Sequence, residues 1–363
     1  MGRQQKIARS IVRAIAEPSA NQKRPGNALA VILALLSAFF SLYQLVLRRI
    51  SPEDFSNVRR RHWNVSDDDY IKSFQPREGR QREEALKAVG DMGFSGSTFY
   101  STADQKRLVK SVPRHSEHSY FREDLLDPYV QHMATHPRSL LVRIYDFLAV
   151  SGPSLGRLFR CAPSHHIVMD NILYGQEEAK KRGELEWEHW DLKPTSYFYP
   201  ERDIAGGALA SEATKSRLAD EFHDKIVLRR EQAEDFFASL DADTQLLAEH
   251  NAVDYSLFLV RIRTAQPAAV FSGSSGSQSV SDSSSPTWRT GVMSADGKHV
   301  FRASILDFFW AKHKIQPRLM TLLIRLWNVL VSKHGHMSIT TTPDEYRGRF
   351  LKMCRSIVEI RED

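Results

Sequence analysis

"HNAVDYSLFLVRI" (residues 250–262) places one acid, Asp254, at the head of a run that otherwise reads as a strand bound for the interior. A carboxylate there needs a partner, a metal or water, because an unpaired buried charge costs roughly several kcal/mol. The later run "HVFRASILDFF" (299–309) has the mirror arrangement, with Asp307 following the apolar residues. Between them, residues 264–292 begin "TAQPAAVFSGSSGSQSVSDSSS", a low-complexity stretch expected to be a mobile insertion at a hairpin tip. In an antiparallel pair the start of one strand faces the end of the other, whatever the length of the connection. Pairing of the two runs would therefore bring Asp254 and Asp307 to one end of the ladder, within reach of a shared divalent cation. Held together bare, two carboxylates would repel. The alternative from spacing alone is two unrelated acids, each capping the segment after its strand.

A chain of 363 residues suits one large two-lobed domain or two ordinary ones. Its two cysteines, Cys161 and Cys354, lie far apart without CxxC spacing, which argues against a disulfide framework or a thiolate metal site and for an intracellular protein. Charge is uneven: residues 1–80 hold 14 Lys and Arg against 7 Asp and Glu, and the remainder 36 against 37. A basic partner surface, if the chain has one, is therefore N-terminal, and it would face nucleic acid, an anionic membrane leaflet or simply water.

The stretch "NALAVILALLSAFFSLYQLVL" (27–47) is uncharged and long enough to cross a bilayer as a helix. The same pattern fits a helix packed in a core or at an interface. Ahead of it, "KIARSIVRAIAE" (6–17) sets Ile7, Ile11 and Ile15 on one side and Lys6, Arg9 and Arg13 on another, as an interfacial helix would. Residues 52–74 are expected to be helical, and "RRR" (59–61) to be a solvated face or a contact for anionic lipid. "STFYST" and "RLVKSV" flank the turn "ADQK" as a hairpin, and the run from His115 has helical spacing until Pro137. "HHIVMDNILYG" (165–175) reads as a buried strand, and 176–190 as a loop or short helix. His132 and His136, and His115 with His118, have zinc-like spacings, with no third ligand at a matching distance along the chain. Phe308, Phe309 and Trp310 are expected in the core.

Several stretches together resemble the phosphatidylinositol phosphate kinases, including their fungal members. "GFSGSTFYSTADQKRLVKSV" (93–112) looks like that family's glycine loop and lysine strand, and "HPRSLLVRIYDFLAV" (136–150) is similar to its "NPxSLLxRFYG" strand. "HHIVMDNILYG" resembles the hinge, "WDLKPTS" (190–196) the "YDLKGST" motif, "LLAEHNAVDYSLFLVRI" the "LLxxLNIMDYSLLVGI" motif, and "SILDFF" the "IGIIDIL" motif. "HMSITTTPDEYRGRF" (336–350) is like the segment ending "PxxYAxRF". The order holds over roughly residues 52 to 358.

The resemblance implies a two-lobed α+β fold of the SAICAR synthase-like lipid kinase type, with antiparallel sheets and an N-terminal helical extension. Residues 1–50 would be the basic and apolar extension, 51–175 the N-terminal lobe, and 176–363 the C-terminal lobe carrying the insert 264–292. It implies ATP and Mg²⁺ as cofactors and transfer of the γ-phosphate to an inositol hydroxyl of a monophosphorylated phosphoinositide. Gly93, Ser95 and Gly96 would let backbone N–H groups approach the phosphates. Lys110 would pair with the α/β-phosphates and with a helix acid, Glu117 in preference to Glu123. Met169, Asp170 and Asn171 would meet adenine. Lys193 would neutralise transferred-phosphate charge, Asp254 would act as the catalytic-loop acid or assist the metal, and Asp307 would be the principal Mg²⁺ ligand. A phosphoinositide-containing membrane is the implied partner, nucleic acid is not, and family members often dimerise through the N-terminal lobe. Pro194 stands where the motif has glycine, Ser304 stands near the glycine of "IGIID", and the loop before "PDEYRGRF" offers Lys333, His334 and His336 without a strong basic cluster. A weak or inactive relative that binds lipid or partners as a scaffold is the alternative.

Overall fold

The computed structural model describes residues 2–16, 43, 45–76, 85–91, 97–152, 159, 162–183, 186–194, 222–263, 286–311 and 341–362. It is a mixed α+β protein whose main sheets are antiparallel. The chain divides into two compact units, one of residues 1–118 and 143–171, the other of 119–142 and 172–363.

In the first unit, β1 (Leu47–Ile50), β2 (Leu86–Asp91), β3 (Thr98–Thr102), β4 (Arg107–Ser111), β5 (Ile144–Val150) and β6 (His165–Asp170) form a six-stranded sheet in the order β1-β5-β6-β4-β3-β2. The expected hairpin is present, with Tyr100 opposite Val109. Helix α1 (Arg3–Ala16) touches both edge strands, β1 and β2, and buries Ile7, Ala8, Ile11, Ala14 and Ile15. Ser10 accepts a bond from the Leu45 N–H, and Leu47 already pairs with Val150. The end of the apolar stretch 27–47 is therefore extended chain rather than helix, because its last residues supply the sheet edge. The rest of that stretch, apart from Tyr43, lies outside the described residues.

The expected helix over 52–74 is two helices, α2 (Pro52–His62) and α3 (Asp67–Lys72), the second capped by the Ser66 hydroxyl on the Asp69 N–H. The "RRR" expectation needs correcting. Arg60 and Arg61 are exposed, but Arg59 is buried, bonded to the Tyr145 carbonyl and the Asp67 carboxylate, with its guanidinium 4.3 Å from the Tyr70 ring. The helix turns that one position inward, where a long cation packs against aromatics. Asp146, fully buried on β5, meets Arg49 at 2.6 Å and accepts from the Tyr70 hydroxyl at 3.1 Å.

Helix α4 (His115–Tyr120) continues through a π-helical turn, Phe121–Leu125, into α5 (Leu126–Thr135). The widened turn precedes Pro128, which has no N–H to return to the carbonyl four residues back.

In the second unit, β7 (Glu186–Leu192), β10 (Ser256–Arg263), β11 (Val292–Met293) and β12 (His299–Leu306) make a sheet in the order β11-β12-β10-β7. In the region expected to be a loop or short helix, Gln176–Arg182 is a short helix, α6, while the residues from Glu186 depart from the expectation as β7, whose polar residues are matched across the strand: Arg261 pairs with Glu188 at 2.8 Å and Arg263 with Glu186 at 3.1 Å. β8 (Ile226–Arg229) pairs in parallel with β14 (Val358–Arg361), an exception to the antiparallel expectation. Helices α7 (Arg230–Glu249) and α8 (Pro343–Ser356) pack on each other and on the short strand β9 (Ala252–Val253). α7 is fixed to the 139–141 segment by Asp243, which meets His132 Nε2 at 2.6 Å and accepts from the Leu140 N–H. His132 stacks on His136, so the zinc-like spacing serves a buried bond instead.

The end of the expected mobile insert is also built into the unit. Trp288 is buried against Phe236, and Arg289 donates to the carbonyls of Ser139 and Leu141. Residues 264–285 lie outside the described residues.

Candidate active site

The two acidic runs pair as expected: β10 and β12 are antiparallel, with Ser256 opposite Leu306 and Arg263 opposite His299. Beyond Ser256 and Leu306 the two chains leave the ladder together. They pair again as β9 with β13 (Trp310–Ala311), Val253 opposite Trp310. Asp254 and Asp307 occupy the break between the two ladders. Both have left-handed backbones, φ 67° and 59°, a conformation that costs an ordinary residue about 1 kcal/mol and that Asp tolerates better than most. Two neighbouring acids in the same unusual conformation at the same sheet end are not what strand capping alone requires.

Lys193 completes the group. β7 runs beside β10 with Leu192 opposite Leu257, so Lys193 is the first residue past the ladder on the third strand. Its Nζ lies 3.1 Å from Asp254 Oδ2, and both side chains are about a quarter exposed, 26% and 27%. Pro194 follows directly and holds φ where the lysine leaves the strand. Two residues from Asp254, the buried Ser256 hydroxyl has no hydrogen-bond partner among the described residues.

The support beneath these residues was not evident from the sequence. Tyr255 packs against Tyr346 and Phe350 of α8, with ring centroids 4.7 and 4.9 Å away, and its carbonyl accepts from the Tyr346 hydroxyl. α8 is set by Pro343 in its first turn and by the Thr342 side chain on the Glu345 N–H. Phe308 stacks near Tyr129 and Phe309 meets Phe121 edge-on, so these two aromatics belong to the core as expected. Ser304 donates to the Leu140 carbonyl, giving a packing reason for a hydroxyl in "ASILD". Arg302 is buried and donates to the carbonyls of Ile172, Tyr174 and Thr290, with its guanidinium 5.0 Å from the Trp187 ring. Burial pushes its pKa down to about 10.

In the first unit, Lys110 is central in the sheet, opposite Phe99 on β3 and Ile167 on β6, and 6% exposed. Its Nζ lies 5.7 Å from the Phe99 ring. Glu117 on α4 is also buried and meets Arg114 at 3.0 Å. Met169 is buried opposite Leu108, and Asp170 meets Arg107 at 3.4 Å. The Asn171 amide donates to the Gln105 carbonyl, tying the end of β6 to the β3–β4 turn. Gly93, Ser95 and Gly96 belong to the connection between β2 and β3 and lie outside the described residues. Lys333, His334 and His336 lie outside them as well.

A family profile described as Phosphatidylinositol-4-phosphate 5-Kinase matches residues 80–357, most of the chain. The chain belongs to this family. It is 26% identical over 223 residues to a phosphatidylinositol 4-phosphate 5-kinase of Plasmodium falciparum, covering 59% of this chain and 12% of that protein. It is 27% identical over 185 residues to a probable phosphatidylinositol phosphate kinase of Dictyostelium discoideum, covering 49% and 22%. Over 186 residues it is 26% identical to a phosphatidylinositol 4-phosphate 5-kinase of Schizosaccharomyces pombe, covering 48% and 21%. The match thus spans less than a quarter of the length of each of these relatives. Asp254, Asp307, Lys193, Lys110 and Glu117 all fall inside the region that carries the family match.

Among the described residues no helix is long and apolar enough to cross a membrane.

Proposed function

We propose that this chain is an ATP- and Mg²⁺-dependent phosphatidylinositol phosphate kinase, moving the γ-phosphate to an inositol hydroxyl of a monophosphorylated phosphoinositide presented by a membrane. The observation that carries the proposal is the grouping of Lys193, Asp254 and Asp307 at one end of β7, β10 and β12, held there by two ladders and a left-handed backbone at each acid.

The donor set suits magnesium. Two carboxylates offer hard oxygen ligands, and Mg²⁺ commonly takes one or two protein carboxylates and completes its shell with water and phosphate oxygens. Among the described residues no three His, Cys, Asp or Glu side chains converge into an all-protein cage. Asp307 would be the principal ligand and Asp254 the second. Bound there, the ion would supply charge neutralisation between the phosphates.

Phosphoryl transfer asks little covalent chemistry of the protein and much positioning. Asp254 would orient the inositol hydroxyl and take its proton. Lys193, 3.1 Å from Asp254 Oδ2, would hold that carboxylate in place, and its ammonium would meet negative charge on the transferred group. In the first unit, Lys110 would reach the α/β-phosphates with Glu117 as its partner, Gly93, Ser95 and Gly96 would admit backbone donors to the phosphates, and the Met169 to Asn171 segment would meet adenine.

The test is transfer of labelled phosphate from ATP to liposomes carrying each monophosphorylated phosphatidylinositol in turn, with Mg²⁺ and with a chelator. Product on one lipid, lost with the chelator, supports the proposal and names the substrate. Folded protein that gives no product on any of them would point instead to a binding scaffold of the same fold.

A further inference from the structure

Arg302 is a buried cation on a face of the β12-β10 sheet that is otherwise apolar. It stands opposite Val260, and Ile262 opposite Val300 shares the same side, all three of those residues being fully buried. Among the described residues no carboxylate answers its charge. Its guanidinium meets three carbonyls and the Trp187 ring. An aliphatic side chain would cost less to bury there, so stability alone does not call for arginine.

Two of the three carbonyls belong to Ile172 and Tyr174, at 3.2 and 2.8 Å. The chain passes from the first unit to the second between Asn171 and Ile172. Arg302 therefore holds the residues that follow directly on the Met169 to Asn171 segment. Ile172 is buried beside Val260, Ile262 and Val300, and Leu173 packs against the same group. The Leu173 carbonyl accepts from the Gln176 N–H, and Gly175, at φ 94°, turns the chain into α6. The carbonyls on either side of Leu173 are the ones that Arg302 takes. Before the crossing, the Asn171 N–H donates to the Lys106 carbonyl and its side-chain amide to the Gln105 carbonyl. The segment is thus tied at one end to the β3–β4 turn and at the other to β12, the strand that leads into Asp307.

We infer that Arg302 is a positioning residue for the nucleotide: its grip on the Ile172 and Tyr174 carbonyls fixes where the segment that meets adenine enters the second unit. The inference rests on the kinase proposal, which assigns adenine to Met169, Asp170 and Asn171. Arg302 acts through the backbone it holds. Groups that meet a base must keep hydrogen-bond range, and a shift of about 1 Å can cost about a hundredfold. Arg289 supplies a contrast within the same unit. It makes the same kind of bond, to the carbonyls of Ser139 and Leu141, in a segment with no assigned part in nucleotide binding.

The experiment measures binding of labelled ATP with Mg²⁺ to the full chain by equilibrium dialysis, together with kcat and the KM values for ATP and phosphoinositide in detergent micelles. Arg302→Met keeps the length and suits the apolar neighbours, Arg302→Lys keeps the charge without the fork of donors, and Arg289→Met is the control. Arg302→Met is expected to weaken ATP binding and raise the KM for ATP by about 20-fold, with kcat and the KM for phosphoinositide within about threefold of wild type. Arg302→Lys should recover part of this, leaving ATP binding about fivefold weaker at a melting temperature close to wild type. Arg289→Met should melt early as Arg302→Met does, yet bind ATP within about twofold of wild type. If Arg302→Met does not fold, the fivefold effect of Arg302→Lys decides.

ATP affinity within about twofold of wild type in the folded Arg302 variants, or an equal loss in Arg289→Met, would overturn the inference. Phosphate transfer by the wild type, with ATP affinity indifferent to Arg302, sinks the positioning role alone. ATP binding that depends on Arg302, in a chain that transfers phosphate to no lipid, sinks the kinase proposal alone.

Discussion

Asp146 and Asp254 are both acids beside buried strands, and their surroundings differ in every respect that matters. Asp146 is fully buried, meets Arg49 at 2.6 Å, accepts from Tyr70, and sits within β5, where the pairing with β6 shifts register. Burial pushes its carboxyl pKa up, and the two arginines Arg49 and Arg59 pull against that. Asp254 is 27% exposed, faces Lys193 at 3.1 Å, and stands in a left-handed backbone where two ladders separate. The first acid is enclosed by partners that satisfy it, as a structural charge must be. The second keeps its oxygens accessible and its backbone in an unfavourable conformation, which stability does not call for. The lesson is that the exposure and backbone of an acid say more about its role than the fact of an ion pair.

That contrast can be broken by substitution. Asp307→Asn should leave the melting temperature nearly unchanged and reduce phosphate transfer by about a thousandfold or more, as expected of a charge that acts at the reacting group. A loss of only a few-fold would remove Asp307 from the metal site. Asp146→Ala should do the opposite, lowering stability by about 3 kcal/mol because Arg49 and the Tyr70 hydroxyl lose their acceptor in the interior. Calorimetry would show this as a melting temperature lower by about 10 °C. Activity per folded molecule should hold. Lys193→Met, which keeps length and removes charge, should cost about a hundredfold in kcat with a small change in stability. Equal loss in kcat and in melting temperature would make Lys193 a structural cation.

The smallest effect expected comes from His166. This ring is fully buried on β6, neither nitrogen has a partner among the described residues, and burial pushes its pKa down to about 3. In the unfolded chain the same group takes up a proton below about pH 6.5. Its contribution to stability is therefore complete above about pH 6.5 and is lost as pH falls toward 3, with a slope of up to about 1.4 kcal/mol per pH unit. Urea midpoints of His166→Leu should accordingly change less than those of the wild type between about pH 7 and about pH 5. Parallel curves for the two proteins would show that His166 finds a partner in solution.

The pairing of β10 with β12 was legible because each run is apolar enough to demand burial and each is marked at one end by an acid. β7 was not. Its "EWEHWDL" reads as polar until Arg261 and Arg263 are set beside Glu188 and Glu186, a match between residues more than seventy positions apart that no local pattern carries. Arg59 was misplaced for a related reason: its acceptors, the Tyr145 carbonyl and Asp67, arrive from other elements. Within the candidate site the three charged residues could be named from motifs, but the aromatic floor of Tyr255, Tyr346 and Phe350 could not. α8 comes to β9 from the far end of the chain, and aromatic spacing within a helix indicates burial without saying against what.

The most direct test of the central claim, that the charged group at the end of β7, β10 and β12 transfers phosphate, measures two quantities on Asp254→Asn. One is phosphate transfer from ATP to a monophosphorylated phosphoinositide, and the other is the melting temperature. The expected result is transfer reduced by about a thousandfold or more with melting within about 2 °C of wild type. Transfer near the wild-type rate, or loss of transfer that only tracks loss of folded protein, would contradict it.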